Sequence, residues 1–282
     1  LRKESNVVVL LRETLNQRKF VRSFEFVPGK HLGIGDMEKV AEKVSGLVDV
    51  VTVPENPLGN PGIDPILSLY ALSEKMDFIG IPHLTPRDKN SLHLKSQGMS
   101  ALKLGIRNFF VVYGDPIAQG QNSKEVRELD VVGTIKTLKE SRLEFNGTSG
   151  SIEMNVGAAA NPQRENEIQN IIRKQEAGAD FFITQAIFDA ESMKVQWIKE
   201  RQHKIVAGFI PLKKKPQIDI MKRMGIRFSE TVEKRLDNSD DIQNESSRII
   251  LEIFDDIKES ISGIHIMPMG RTDLAKTILE SV

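Results

Sequence analysis

The sequence predicts a (β/α)8 barrel, and three observations carry that expectation. Eight short β-rich runs recur along 282 residues. Most of them are continuously apolar rather than alternating, as strands are when both faces of a parallel sheet are covered. Helical patterns separate them, so the rhythm is strand, helix, strand, helix. An open doubly wound sheet would want G-x-G-x-x-G after an early strand. The stretch "GKHLGIG" (29–35) lacks it and reads as a loop.

Taken in order, an extra amphipathic helix at roughly 7 to 19 precedes the first strand, "SFEFV" (23–27). The helix "DMEKVAEKVSGL" (36–47) follows, with Met37, Val40, Ala41 and Val44 on one face. The next strands are "DVVTV" (49–53), "DFIGIPHL" (77–84), "NFFVVYG" (108–114) and "SIEMNVGAA" (151–159). The helix "ENEIQNIIRKQEAGA" (165–179) aligns Ile168, Ile171 and Ile172, and Gly178 supplies its stop. Strands six and seven are "DFFITQAIF" (180–188) and "KIVAGFI" (204–210). Residues 213–262 are longer than a standard unit needs and should hold two or three helices. One is "DDIQNESSRIILEIFDDIKES" (240–260), with Ile249, Ile250, Ile253, Phe254 and Ile257 in register. "GIHIMPM" (263–269) is the eighth strand. No linker or low-complexity tract interrupts the chain, so residues 1–282 are expected to form one catalytic domain.

The composition narrows the function. Lys plus Arg total 39, as do Asp plus Glu, which argues against nucleic-acid binding. There is no cysteine, so disulfides, thiolate catalysis and zinc–thiolate sites are excluded. No apolar run reaches membrane-spanning length and no signal-peptide pattern is present, so a soluble cytoplasmic protein is expected. The chain opens on Leu1 rather than methionine, so its natural start is expected to lie upstream.

In such barrels the chemistry sits at the C-terminal ends of the strands. Collecting polar residues there gives Glu25, Thr52, His83, Asp115, Asn161 and Gln185 from strands one to six. Each also has a structural reading. Glu25 could be a paired carboxylate, Thr52 an ordinary strand residue, His83 a satisfied core histidine and Asp115 a turn former. Glu25, however, lies between Phe24 and Phe26. Alternation would turn the phenylalanines to the helices and Glu25 inward, where poor solvation raises proton affinity and suits a general acid. Gln185 places a long amide inside an apolar run, and such an amide needs partners. Lys213, Lys214 and Lys215 read as a solvated surface run. The histidines form no metal-ligand spacing, so no metal site is expected, and no G-x-S-x-G elbow occurs. An acid and an amide without a metal fit chemistry on an organic heterocycle with a bound cofactor.

These residues resemble the methylenetetrahydrofolate reductase family. The likeness rests on "SFEFVP", "VVTV", "IPHLT", "YGDP", "RKQEAGADFFITQAIFD" (173–189), "GFIPL" and "GIHIMPM", whose order and spacing hold over nearly the whole chain. The resemblance implies a flavoprotein of one-carbon metabolism and methionine biosynthesis. Such a protein reduces 5,10-methylenetetrahydrofolate to 5-methyltetrahydrofolate with FAD and an NADH or NADPH donor. Carried over by position, Glu25 is the general acid and Asp115 the carboxylate between flavin and folate. Gln185 contacts the substrate. Thr52, His83, Tyr113, Gly114 and Asn161 fall at cofactor-facing positions. Glu167 and Lys174, two helical turns apart, fall where the family holds the ribose and pyrophosphate side of FAD.

Three departures stand out. Tyr113-Gly114-Asp115 replaces an Arg-Gly-Asp; "GAAANP" (157–162) replaces a Tyr-Pro-Glu-x-His-Pro stretch, with Asn161 in the place of the histidine; and "PLKKKP" lacks a stacking phenylalanine. A homo-oligomer is expected, with an electron-donating partner subunit as a further possibility. The alternatives are a methyltransferase that takes methyl from methyltetrahydrofolate, and a folate- or flavin-binding subunit of a larger oxidoreductase. No nucleic-acid or membrane partner is expected.

Overall fold

The computed structural model describes residues 9–28, 34–145, 152–269 and 272–282. Eight parallel strands close into a barrel in sequence order: β1 (Val21–Glu25), β2 (Val50–Val53), β3 (Ile79–Leu84), β4 (Asn108–Val111), β5 (Asn155–Ala160), β6 (Phe181–Ala186), β7 (Ile205–Phe209) and β8 (Gly263–Ile266). Ladder pairing of β8 with β1 closes the ring through Ser23 opposite His265. Around it lie α2 (Ile34–Val44), α3 (Pro65–Ser73), α4 (Ser91–Lys103), α5 (Val131–Phe145), α6 (Glu167–Glu176), α7 (Gln196–Lys199) and α11 (Thr272–Leu279). The long segment before β8 holds three α-helices: α8 (Pro216–Arg223), α9 (Glu230–Asn238) and α10 (Ile242–Ile257). Their starts follow from sequence. Pro216 occupies the first turn of α8, Ser229 caps α9 by accepting from the Val232 N–H, and Asp241 caps α10 by accepting from Asn244.

Strand alternation sorts the apolar residues into two cores. Phe24, Phe26, Val51, Val53, Phe109, Phe182 and Phe209 point outward and pack against the helices. Val21, Val50, Ile81, Phe110, Phe181, Ile183 and Val206 fill the barrel interior. Leu11 and Leu15 of α1 (Leu11–Asn16) join the interior group. The extra N-terminal helix therefore stoppers the N-terminal end of the barrel. Asn108, at the foot of β4, ties it down: Leu11 N–H donates to its Oδ1 at 2.8 Å and its Nδ2 donates to the Val9 carbonyl at 3.0 Å. An Asn108→Leu variant keeps the volume but strands both backbone groups. It should cost about 2 kcal/mol, read as a lower urea midpoint at unchanged m-value.

Several boundaries differ from the sequence expectation. The N-terminal helix spans 11–16 rather than 7–19, because Leu11 and Leu15 are its only buried positions; residues 7 and 8 lie outside the described set. The loop at 29–35 is largely outside it too, and α2 begins at Ile34. The fourth strand stops at Val111, not Gly114. Gly114 takes φ +81°, and a Cβ there would lie 2.2 Å from Thr85 Oγ1, so the chain turns out of the sheet at a position that requires glycine.

Candidate active site at the mouth of the barrel

Glu25 ends β1, opposite Thr52 of β2. The flanking phenylalanines face outward, so the carboxylate faces inward with only 16% of its side chain exposed. Three further polar side chains share that inner face. Thr52 is fully buried; His83 of β3 and His265 of β8 are almost so. Glu25 Oε2 lies 4.0 Å from His83 Nδ1, and the two imidazole centroids are 6.4 Å apart. His265 Nδ1 sits 2.9 Å from Ser23 Oγ, and His83 packs edge-on to Phe110. Thr52 Oγ1, His83 Nε2 and His265 Nε2 are buried with no hydrogen-bond partner among the described residues. Buried polar atoms are normally satisfied, so three orphans around one carboxylate mark a place shaped for something else.

Burial pushes the Glu25 carboxyl up to about 7, and the negative charge of Asp115 adds to the rise. Burial pushes both histidines down to about 3, with mutual repulsion from His265 adding to the drop at His83. At neutral pH the site therefore presents neutral imidazoles and a carboxyl poised near its titration point. This has a stability consequence in metal-free protein. The folded carboxyl holds its proton more tightly than the unfolded chain, whose value is 4.5. Stability is thus full below about pH 4.5 and is lost as pH rises to about 7. Glu25→Gln removes that loss. The variant should match the parent in acid and exceed it by up to about 3 kcal/mol at pH 8, checked by paired denaturation curves with a chelator present.

The rim beyond Glu25 is built by three loops pinned through Arg87, which is 1% exposed. Its guanidinium grips both oxygens of Asp88, donates to the Asp115 carbonyl at 2.7 Å and reaches the Asn56 carbonyl at 3.2 Å. The Asp115 carboxylate accepts from the Leu58 N–H at 3.1 Å, which ties the turn after β4 to the loop after β2. Behind it, Lys89 and Gln97 donate to Glu55, and the other oxygen of Glu55 accepts from the Thr85 N–H. Tyr113 is 61% exposed, with the Arg127 guanidinium stacked 4.1 Å from its ring centroid. Arg127 also donates to the Tyr113 and Gly114 carbonyls. An arginine therefore stands beside the Tyr-Gly-Asp turn, supplied by the following loop.

The other sequence candidates divide into two groups. Gln185 lies on the inward parity of β6, two residues after Ile183, and is half-buried. Asn161, Glu167 and Lys174 form a separate knot behind β5. Buried Glu167 accepts from the Asn161 N–H at 3.1 Å and pairs with Lys174 at 3.5 Å, while Lys174 donates to the Ala159 carbonyl at 2.6 Å. The two are on one face of α6, but they neutralise each other rather than standing open. Lys214 and Lys215 are exposed, as a solvated run would be. Sequence reasoning missed Ser23, His265, Arg87 and Arg127. The first two carry a usable signal: Ser23 shares the inward parity of Glu25, and His265 sits inside the apolar eighth strand. Sequence spacing also did not show one grouping: one ligand atom from each of Glu25, His83 and His265 lies within 4.8 Å of the others. Their separation in sequence, on strands one, three and eight, hid the grouping.

Comparisons with known proteins follow this geometry. A Clostridium thermocellum protein, described as uncharacterized and as binding two copies of 5-methyl-5,6,7,8-tetrahydrofolic acid, superimposes at TM-score 0.69. It has 19% identity, over 97% of this chain and all of that one. A 2,3-dimethylmalate lyase of the PEP mutase/isocitrate lyase superfamily gives 0.56 at 12% identity, covering 99% of this chain and 85% of the other. A phosphonopyruvate hydrolase complexed with oxalate and Mg2+ gives 0.51 at 13% identity, over 96% and 83%. These likenesses show the fold. No curated protein matches the chain in sequence. Among the described residues no helix is long and apolar enough to cross a membrane. The family model for methylenetetrahydrofolate reductase matches residues 10–282, and the chain belongs to that family.

Proposed function

We propose that the protein reduces 5,10-methylenetetrahydrofolate to 5-methyltetrahydrofolate with a bound flavin, and that Glu25 is the general acid. The observation that carries this reading is the inward carboxyl of Glu25 at the barrel mouth, beside Asp115 and ringed by unpartnered polar atoms. The flavin, when bound, supplies the hydride chemistry; the protein supplies position and protons. The residues present fit its ring end. Thr52 Oγ1 and His83 Nε2 lack partners among the described residues and would meet the polar edge of the ring system. Lys174 and Glu167 would serve the ribose and pyrophosphate side once Lys174 exchanges its bond to the Ala159 carbonyl.

Glu25 gives its proton to the folate nitrogen released as the five-membered ring opens to an iminium. A carboxyl near 7 suits that transfer, because it is protonated often enough to donate and acidic enough to let go. Asp115, held from behind by Arg87, offers an acceptor to the N–H groups of the pterin. Gln185 offers both a donor and an acceptor to the same edge.

The test is the visible spectrum of the purified protein. A flavin band should bleach anaerobically with NADH or NADPH and return on adding 5,10-methylenetetrahydrofolate. A second reading has its own support, since the Clostridium thermocellum neighbour binds 5-methyltetrahydrofolate and Tyr113 replaces an arginine here. A colourless protein that binds 5-methyltetrahydrofolate and passes its methyl to a corrinoid acceptor would favour a methyltransferase instead. A flavin that bleaches only when a second protein is added would favour a subunit of a larger oxidoreductase.

A further inference from the structure

We propose that Glu25, His83 and His265 form a binding site for one divalent transition-metal ion of the zinc class. The geometry is the first support. One ligand atom from each residue lies within 4.8 Å of the other two, and the three come from β1, β3 and β8 around the inner wall. A tetrahedral ion with bonds of about 2.0–2.1 Å wants its ligands about 3.3 Å apart. Binding therefore requires these side chains to draw their ligand atoms closer together.

The second support is the unsatisfied nitrogens. His83 and His265 are 6% and 1% exposed, and Nε2 of each is buried without a partner. On His265 a metal resolves this by taking the Nε2 lone pair, whereas on His83 the ring atom recorded facing Glu25 is Nδ1, 4.0 Å from Oε2. The third is the support behind the ligand. Ser23 Oγ lies 2.9 Å from His265 Nδ1. With Nδ1–H donating to that oxygen, the tautomer is fixed and Nε2 is left as the ligand atom.

Two imidazoles and one carboxylate select zinc, cobalt or iron over magnesium or calcium, which prefer all-oxygen shells. Three protein ligands leave at least one position open toward the mouth. An ion there takes the carboxylate oxygen that would otherwise carry the proton. Zinc should therefore inhibit the folate half-reaction. The binding site itself stands on geometry, whichever of the functional readings holds.

The experiment is calorimetric titration of ZnCl2 into the full chain after EDTA treatment and dialysis, with CoCl2 as an optical probe. A double variant, His93→Ala with His203→Ala, serves as the parent and removes two exposed surface imidazoles. One equivalent should bind, and Co2+ should show visible bands of a low-coordinate N/O site. His265→Ala should lose the equivalent, and Ser23→Ala should weaken it roughly 10- to 100-fold. Ser23→Ala is the gentler change, so it keeps the test decisive should His265→Ala fail to fold. No stoichiometric binding in the parent, or equal binding in Ser23→Ala and His265→Ala, overturns the proposal. Because the titration uses neither folate nor flavin, its failure leaves the acid role of Glu25 standing. Failure of the acid role likewise leaves the metal site standing.

Discussion

Glu25→Gln should slow reduction of 5,10-methylenetetrahydrofolate by roughly 10²- to 10⁴-fold, the usual range for losing a general acid. The same variant should leave flavin reduction by the nicotinamide donor near its parental rate. The amide keeps the size of the side chain and fills the same inward position, so binding should change little. What it removes is the proton. The parent should show a folate half-reaction that declines as pH rises through about 7, as the Glu25 carboxyl ionises. The variant should lose that limb of the profile. Stopped-flow measurement of the two half-reactions separates the cases. Equal slowing of both halves would mean that Glu25 holds the cofactor rather than acting on folate. A variant that is slower in catalysis yet more stable at pH 8 is the paired signature of a carboxyl held in an unfavourable place for its chemistry.

Arg87→Met should be the most destabilising of the changes considered, at about 3–5 kcal/mol. The side chain is fully buried, and its guanidinium holds the Asp88 carboxylate together with the carbonyls of Asn56 and Asp115. Methionine fills much of the volume but leaves those acceptors facing it unpaired. The loss should be read from urea denaturation, with the m-value used to check two-state behaviour. Arg87→Lys should recover only part of it, because an ammonium cannot reproduce the planar two-toothed grip on Asp88. In either variant the Asp115 turn loses its rear support. Folate KM should therefore rise more than kcat falls, because the Glu25 carboxyl on β1 is untouched.

Much of this architecture was legible because barrel strands advertise themselves. "DVVTV" and "NFFVV" are apolar on both faces, and each falls on an observed strand. The inward aim of Glu25 followed from its two phenylalanine neighbours and strict alternation. The ends of strands were less legible, since Val112 and Tyr113 look like a continuing strand and only the backbone of Gly114 breaks it. Arg87 was hidden because nothing local distinguishes a buried arginine in "TPRDKN" from a solvated one; its partners come from loops up to 31 residues away. His265 was hidden for a related reason. Its neighbours Ser23 and His83 are 242 and 182 positions distant, and only ring closure brings β8 against β1. Glu167 and Lys174 show the converse. Their spacing on one helix face was legible, but their pairing with each other came only from the packed structure.

The helix that seals the far end of the barrel has a consequence for proton traffic. Leu11 and Leu15 close the far end of the inner wall with hydrocarbon, whereas the shelf directly under Glu25 is polar, made by Ser23 and His265. Were Glu25 the acid proposed above, a reactant seated at the mouth would cover it, and the proton it gave up would be replaced after the reactant departs.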